Sequence, residues 1–433
     1  MLKRTVTLLS MNVLVFCIFA ELLALSIFYY QHGWLFYVDP YRPTYELIPE
    51  TQNQGLTTIG LHPYFGPTHK PGIPFDIPES LRTTVTSPRV ETNNFGFASP
   101  YSYPFVKTRD DQFIVGIFGG SVGAWFCQVG VHRLIEDLKR SSFFENKELI
   151  PLCLSHEGYK QPQQLLVLAY FLSIGQQFDL VINIDGFNEV ALSSLNDEHG
   201  WDISMPSVMH LDPLISLVNQ STLTPEKLDS LAAIRRDKQR LNSLAERINH
   251  SRLASIDFVL GRYYAIVAEK YRRELANFDK LPSNPASNSV VHVTPNVRDR
   301  EGTILFEDIA SNWISSSVLM NELLVARRAA YFDFLQPNQY FTRRVFGADE
   351  AKVALNDGSP FKGGVEKGYP FLERAFESSA LKNMNVFSAV HIFDGERSPV
   401  YVDDCCHYTL RGNELLADFI AQSILNSKGS GGP

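Results

Sequence analysis

A serine follows directly on a buried-looking apolar run: Phe113 to Phe118 leads into Gly119-Gly120-Ser121, and a stretch with helical spacing begins at Val122. Gly119, Gly120 and Gly123 leave room for a substrate to approach, and the unpaired N–H groups at a helix start favour developing negative charge. Ser121 is therefore a candidate nucleophile, although serine is also a common helix N-cap and this segment alone does not separate the two roles. Near the other end stands Asp403-Asp404-Cys405-Cys406-His407, just before a further helix. A hydroxyl is a poor nucleophile until a base accepts its proton, and an imidazole does this best when a carboxylate fixes its tautomer. Asp404 and His407 are three residues apart and can lie on one side of a single turn, so His407 is the expected base and Asp404 its orienting carboxylate. Acyl transfer also needs donors aimed at the tetrahedral oxygen. The N–H of Ser121 is one candidate. Gly158, in His156-Glu157-Gly158-Tyr159, can present an N–H without a side chain in the way, and Asn188, in Asp185-Gly186-Phe187-Asn188-Glu189, can offer an amide N–H. Taken singly, a loop glycine and a turn asparagine are the plainer readings; their joint occurrence after successive strands favours chemistry. No cofactor is called for, and no metal cluster is expected: His62, His69, His156 and His391 are scattered along the chain and each reads as structural.

These residues require a scaffold that brings distant segments together. Apolar runs at Leu149 to Leu154 and Leu180 to Ile184 alternate with helical spacing at Val122 to Leu138 and Gln163 to Ile174. A helix from Ile304 to Arg328, a strand at Tyr331 to Leu335, an apolar run at Val386 to Phe393 and a helix from about Leu410 continue the pattern, with an irregular stretch from Gln336 to Gly368 between them. Such alternation predicts an α/β fold, a three-layer α/β/α sandwich around a mostly parallel sheet. Ligand sites in such sheets gather at the carboxyl ends of the strands, where all four candidate stretches fall. The expected catalytic segments are 111–198 and 303–428. Between them, 199–302 reads as a helical insertion: Pro225 to Phe278 is long, amphipathic and charge-laced, and its Arg and Lys residues read as a solvated face rather than a ligand patch.

Ten of the 24 prolines fall between Pro40 and Pro100, a density that forbids long helices and central strands, so 38–110 is expected to be an extended stalk or wrapping arm. Residues 1–37 read as a short cytoplasmic tip and a transmembrane anchor: Lys3 and Arg4 precede an apolar stretch from Leu8 to Tyr30, long enough to cross a hydrocarbon layer of ~30 Å. A cleaved signal peptide is the competing reading, without a convincing cleavage site to support it. The positive-inside bias then puts the body outside the cytoplasm, with membrane lipid as a partner. Glu21, in mid-stretch, needs a partner or a proton. Residues 429–433 look like a linker tail. The chain of 433 residues carries 39 Lys+Arg against 47 Asp+Glu, a net charge of −8 without a basic run, which sets nucleic acid aside as a partner. Five cysteines, with no C-x-x-C pair, exclude a disulfide scaffold. A bridge from Cys127 to Cys405 or Cys406 would clamp the proposed acid-base loop, with free buried thiols as the equal alternative.

Together the four stretches resemble an SGNH (GDSL-type) hydrolase. Gly119-Gly120-Ser121 is similar to the first block with Gly-Gly for Gly-Asp, Gly158 to the glycine block, Gly186-x-Asn188 to the asparagine block with Glu189 where Asp is usual, and Asp404-x-x-His407 to the last block. The order agrees, over roughly residues 93–424 apart from the insertion. Asn94-Phe95-Gly96-Phe97 and Leu335-Gln336-Pro337 look like accessory stretches of membrane-anchored relatives. The resemblance implies a flavodoxin-like sheet, Ser121 attacking an ester carbonyl, His407 taking its proton, Asp404 orienting His407, and an oxyanion hole from Ser121, Gly158 and Asn188. It implies hydrolysis or transfer to another hydroxyl, with an O-acyl group of a cell-surface carbohydrate as the expected substrate. Three readings compete. A nucleophile elbow, Gly119-x-Ser121-x-Gly123, would need several strands before it. A Rossmann-type nucleotide site would need G-x-G-x-x-G spacing. A catalytically silent, membrane-tethered binding or assembly protein would keep the fold without the chemistry.

Overall fold

The computed structural model describes residues 2–38, 45, 58–77, 81, 89–218, 224–251, 253–278, 280–282 and 291–427. The chain divides into two compact units, one of residues 56–217 and 291–433, the other of 1–55 and 218–290.

The first unit is built on a five-stranded, wholly parallel sheet: β5 (Gln112–Gly119), β6 (Glu148–Cys153), β7 (Leu180–Asp185), β8 (Ala330–Leu335) and β9 (Asn385–Ser388), in spatial order β6-β5-β7-β8-β9. Every residue of β5 and β7 is buried, as the unbroken apolar runs require of strands covered on both faces. Side chains alternate between two cores. Phe113, Val115 and Ile117 face helices α2 (Ser121–Val129), α3 (Val131–Lys139) and α12 (Leu410–Ser427), through residues such as Phe126, Leu134, Leu416 and Ile420. Ile114 and Phe118 face the opposite core with Val167, Leu168 and Phe171 of α4 (Gln163–Ser173) and Met320 and Leu324 of α9 (Ile304–Val325). This is the expected three-layer α/β/α sandwich, and its strand order reverses direction beside β5, the topological switch point of flavodoxin-like sheets.

Two stretches differ from expectation. The run from Val122 to Leu138 is two helices that break at Gly130, where a Cβ would meet the Phe126 ring at 2.5 Å. The stretch from Gln336 to Gly368, expected to be irregular, contains α10 (Ala348–Ala354) and the first half of α11 (Lys362–Ala375). Between β7 and α9 lie α5 (Phe187–Glu198) and α6 (Val208–Val218). Residues 199–217 and 291–302, expected in the insertion, cluster with the sheet unit, and Trp201 pairs with Pro295 in a short bridge.

The described part of the proline-rich segment wraps this unit. β1 (Ile59–His62) and β2 (Gly66–His69) form one antiparallel pair, β3 (Pro74–Asp76) and β4 (Arg89–Glu91) another. Phe65, Phe97 and Tyr103 enter the α4 core, and the Tyr103 hydroxyl donates to the Cys153 carbonyl at 2.7 Å. The remainder of the expected stalk, and the 429–433 tail, lie outside the described residues.

In the second unit, α1 (Leu2–His32) contains a segment, Ser10–His32, long and apolar enough to cross a membrane. Helices α7 (Pro225–His250) and α8 (Ala254–Phe278) form a hairpin around Leu241, Leu244, Ile248, Val267 and Tyr271. The misfit carboxylate Glu21 has partners: it accepts from the Ala254 and Ser255 backbone N–H groups at 2.7 and 3.0 Å and from the Tyr37 hydroxyl. The start of α8, with its unpaired donors, is where a carboxylate is best placed.

Candidate active site

Ser121 opens α2 immediately after β5. Gly119 adopts φ +147°, and a Cβ there would lie 2.3 Å from the Ile184 carbonyl of β7, so only glycine lets the two strand ends close up beneath the serine. The base arrives from far along the chain. His407 Nε2 lies 2.7 Å from Ser121 Oγ, across 286 residues of sequence, and His407 Nδ1 lies 2.5 Å from Asp403 Oδ2.

The carboxylate on His407 is thus Asp403, and the expected Asp404 is not part of the relay: its Oδ2 accepts from Asn356 Nδ2 at 2.7 Å. The cause is local. Asp403 Oδ1 accepts from the successive N–H groups of Cys405, Cys406 and His407 at 3.0, 3.1 and 3.2 Å, which curls the chain around that carboxylate and leaves the next residue facing outward. Three residues after β8 hold the curl in place. Asn338 Nδ2 donates to the Cys405 carbonyl, Gln339 Nε2 to the Asp403 carbonyl, and the Tyr340 hydroxyl to the Asp404 carbonyl. Burial alone would push the Asp403 carboxyl up; its bond to His407 and the backbone donors outweigh this and hold it below the usual carboxylate range. An ionised Asp403 beside Nδ1 keeps that nitrogen protonated and Nε2 free to accept from the serine. Ser121 is buried, whereas the His407 and Asp403 side chains are 22% and 36% exposed, so the relay meets solvent from the imidazole outward to the carboxylate.

Of the other expected oxyanion residues, Gly158 sits on the loop after β6 and Asn188 in the first turn of α5, just past β7. Asn188 Nδ2 donates to the Tyr159 carbonyl at 2.7 Å and leaves its second N–H for another acceptor. It lies against Gly120, where a Cβ would be 2.0 Å from Nδ2, so the Gly-Gly sequence is what lets Asn188 reach the serine turn. Gly158 has φ +76°, and a Cβ there would enter the His210 ring. Glu189 does structural service: its carboxylate accepts from the Gly186 N–H at 2.6 Å and the Gln161 N–H at 3.0 Å, tying the start of α5 to the loop after β6.

The expected bridge from Cys127 to the 405–406 pair does not form, because Cys127 is bonded to Cys153 at the end of β6. Cys405 and Cys406 are free thiols 3.4 Å apart, and Cys406 Sγ lies 3.9 Å from Ser121 Oγ. A cavity of about 600 Å³ lined by Asn93, Ser99, Tyr101, Gln128 and Cys153 includes none of the relay residues. Sequence reasoning missed Asp403, for which the doubled Asp403-Asp404 was the available signal, and the supporting Asn338, Gln339 and Tyr340. It also treated His69 and His156 as scattered, whereas β2 brings their rings to 4.5 Å.

No family model matches the chain, and no curated protein matches it. Among solved structures it is similar to a GDSL-like lipase from Bacteroides thetaiotaomicron, at 12% identity over 74% of this chain and 91% of that one, with a TM-score of 0.32. It is likewise similar to the lipase Lip_vut3 from a goat rumen metagenome, at 12% identity over 72% of this chain and 97% of that one, with a TM-score of 0.32. At that similarity the roles of individual residues rest on the geometry above.

Proposed function

We propose that the protein is a serine esterase or O-acyltransferase of SGNH type, tethered by α1 with its α/β unit outside the cytoplasm, acting on an O-acyl ester such as one on a cell-surface carbohydrate. One observation carries this reading: a serine hydroxyl, an imidazole and a carboxylate stand in hydrogen-bonding series at the carboxyl end of β5, beside the switch point of the sheet. On this reading Ser121 Oγ attacks the ester carbonyl as His407 Nε2 takes its proton, and Asp403 stabilises the imidazolium. The tetrahedral oxygen takes its charge against the Ser121 and Gly158 N–H groups and the free N–H of Asn188. His407 returns the proton to the departing alcohol. Water, or a second hydroxyl deprotonated by His407, then attacks the acyl-serine and frees the enzyme, giving hydrolysis or transfer. Lys3 and Arg4 ahead of the apolar helix support the orientation.

The test is a panel of chromogenic acyl esters of varied chain length, assayed with the whole chain in detergent. Ser121→Ala and His407→Ala are each expected to lose at least about a thousandfold in kcat. Adding a soluble oligosaccharide and following acyl-sugar formation divides transfer from hydrolysis. Undiminished turnover in either variant would sink the esterase reading and leave a tethered binding protein.

A further inference from the structure

Outside the relay, the sheet unit holds a second convergence of histidine and carboxylate. His69, at the end of β2 in the wrapping arm, points Nε2 at Glu157 Oε2 from 3.1 Å. His156, on the loop after β6, points Nδ1 at the same oxygen from 3.4 Å and at the Glu157 carbonyl from 3.0 Å. The three side-chain donor atoms lie within 4.8 Å of one another. His156 is 2% exposed.

We propose that His69, His156 and Glu157 form a binding site for a first-row divalent cation, zinc by the chemistry of its donors. The two separations to Glu157 Oε2, 3.1 and 3.4 Å, are close to those of ligands sharing one ion, since donors about 2.0–2.2 Å from a tetrahedral centre stand roughly 3.3–3.5 Å apart. Two imidazoles and a carboxylate, with no thiolate, are a ligand set that zinc accepts with a fourth position left for water. Among the described residues His69 Nδ1 and His156 Nε2 are buried without a polar partner, and the polar contacts of each ring are made by the nitrogen that faces Glu157. The site joins the arm to the loop that carries Gly158. A bound cation would staple β2 onto that loop and fix the glycine's position, a structural role separate from the serine relay.

A rival ion site exists at Cys405, Cys406 and His407, whose donor atoms also lie within 4.8 Å, and the experiment tells the two apart. The whole chain in detergent is stripped with EDTA, dialysed and titrated with zinc chloride by calorimetry, with melting followed in parallel. One equivalent is expected to bind and to raise the melting midpoint. His69→Gln and Glu157→Gln, each confirmed folded by circular dichroism, are expected to weaken binding at least about a hundredfold. The Cys405→Ser/Cys406→Ser double variant is expected to keep it. Zinc-edge absorption on the loaded protein is expected to show N/O neighbours at about 2.0–2.1 Å and no sulfur near 2.3 Å. A sulfur shell, binding abolished by the cysteine variant, or no stoichiometric uptake would each overturn the proposal; should His69→Gln or Glu157→Gln fail to fold, the absorption spectrum of the wild type decides.

Discussion

Two histidine–carboxylate groups of the sheet unit stand in contrasting surroundings, apart from a partly exposed pair of His391 with Asp394. At the 403–407 turn, Asp403 binds one ring nitrogen of His407 and the other nitrogen meets a serine hydroxyl. At the arm, Glu157 is shared by two imidazoles, and neither ring reaches a nucleophile through its second nitrogen. The first arrangement is a relay, because each group hands its proton contact to the next and the series ends at a hydroxyl at the start of a helix. The second converges on one point, which is how groups surround an ion. An imidazole next to a carboxylate therefore says little about chemistry; what its far nitrogen faces says much more.

The sharpest way to break that distinction is to move the carboxylate. Asp403→Asn should lower kcat on a chromogenic ester by about a hundred- to ten-thousandfold, since an amide in place of the carboxylate favours the wrong imidazole tautomer. Asp404→Asn, which alters only a contact to Asn356, should stay within about tenfold of wild type. Equal losses would mean that Asp403 does not orient the base.

That pair also marks what the sequence could convey. The strand-helix alternation and the places of Ser121, Gly158 and Asn188 just past buried apolar runs were legible because parallel sheets deliver such positions to one rim, and His407 was legible from its place beside two carboxylates just before the last helix. The choice between Asp403 and Asp404 was not, because it depends on a turn whose shape Asp403 itself creates by gathering three N–H groups. The disulfide was misjudged for a related reason. Six residues past Ser121 at ~100° per residue carry Cys127 around α2, away from the serine side, where it meets Cys153 at the end of β6. The joining of His69 to His156 depends on how the proline-rich arm folds back, which no periodicity encodes.

Effects on stability should run the other way from effects on turnover. Glu157→Gln removes the charge that His69 and His156 share, while His156 keeps the Glu157 carbonyl, and should destabilise the metal-free protein by about 1–2 kcal/mol in urea titration, with a far smaller loss of kcat than Asp403→Asn. Cys127→Ser/Cys153→Ser opens a bridge spanning 26 residues and should cost about 3 kcal/mol, again away from the relay. A thousandfold loss of kcat from Glu157→Gln in a folded protein would place Glu157 in the chemistry and erase the contrast between the two sites.

A third group of carboxylates supplies the control, because no histidine serves it. Asp185, the last residue of β7, and Asp333, inside β8, are fully buried, joined through Asn183 and served by Trp313 and by the Ser317 hydroxyl. Burial pushes Asp333 up to about 6, against donors that would hold it down, and Asp185 rises well above its ordinary range through burial and the proximity of Asp333 and Glu189. A carboxyl raised on folding binds a proton more tightly in the native state. Its stabilising contribution is complete below its unfolded value of 3.8 and is lost as pH rises through about 6. Asp333→Asn, which cannot ionise, should therefore flatten the fall in unfolding free energy between pH 4.5 and 7.5 by an amount on the order of 1–3 kcal/mol. Asp403, held low, carries the opposite sign: its contribution is lost only on acidification below the usual carboxylate range. If Asp333→Asn steepened the fall toward alkaline pH, the buried pair would have to be ionised throughout, and a cation rather than a shared proton would be needed to hold it.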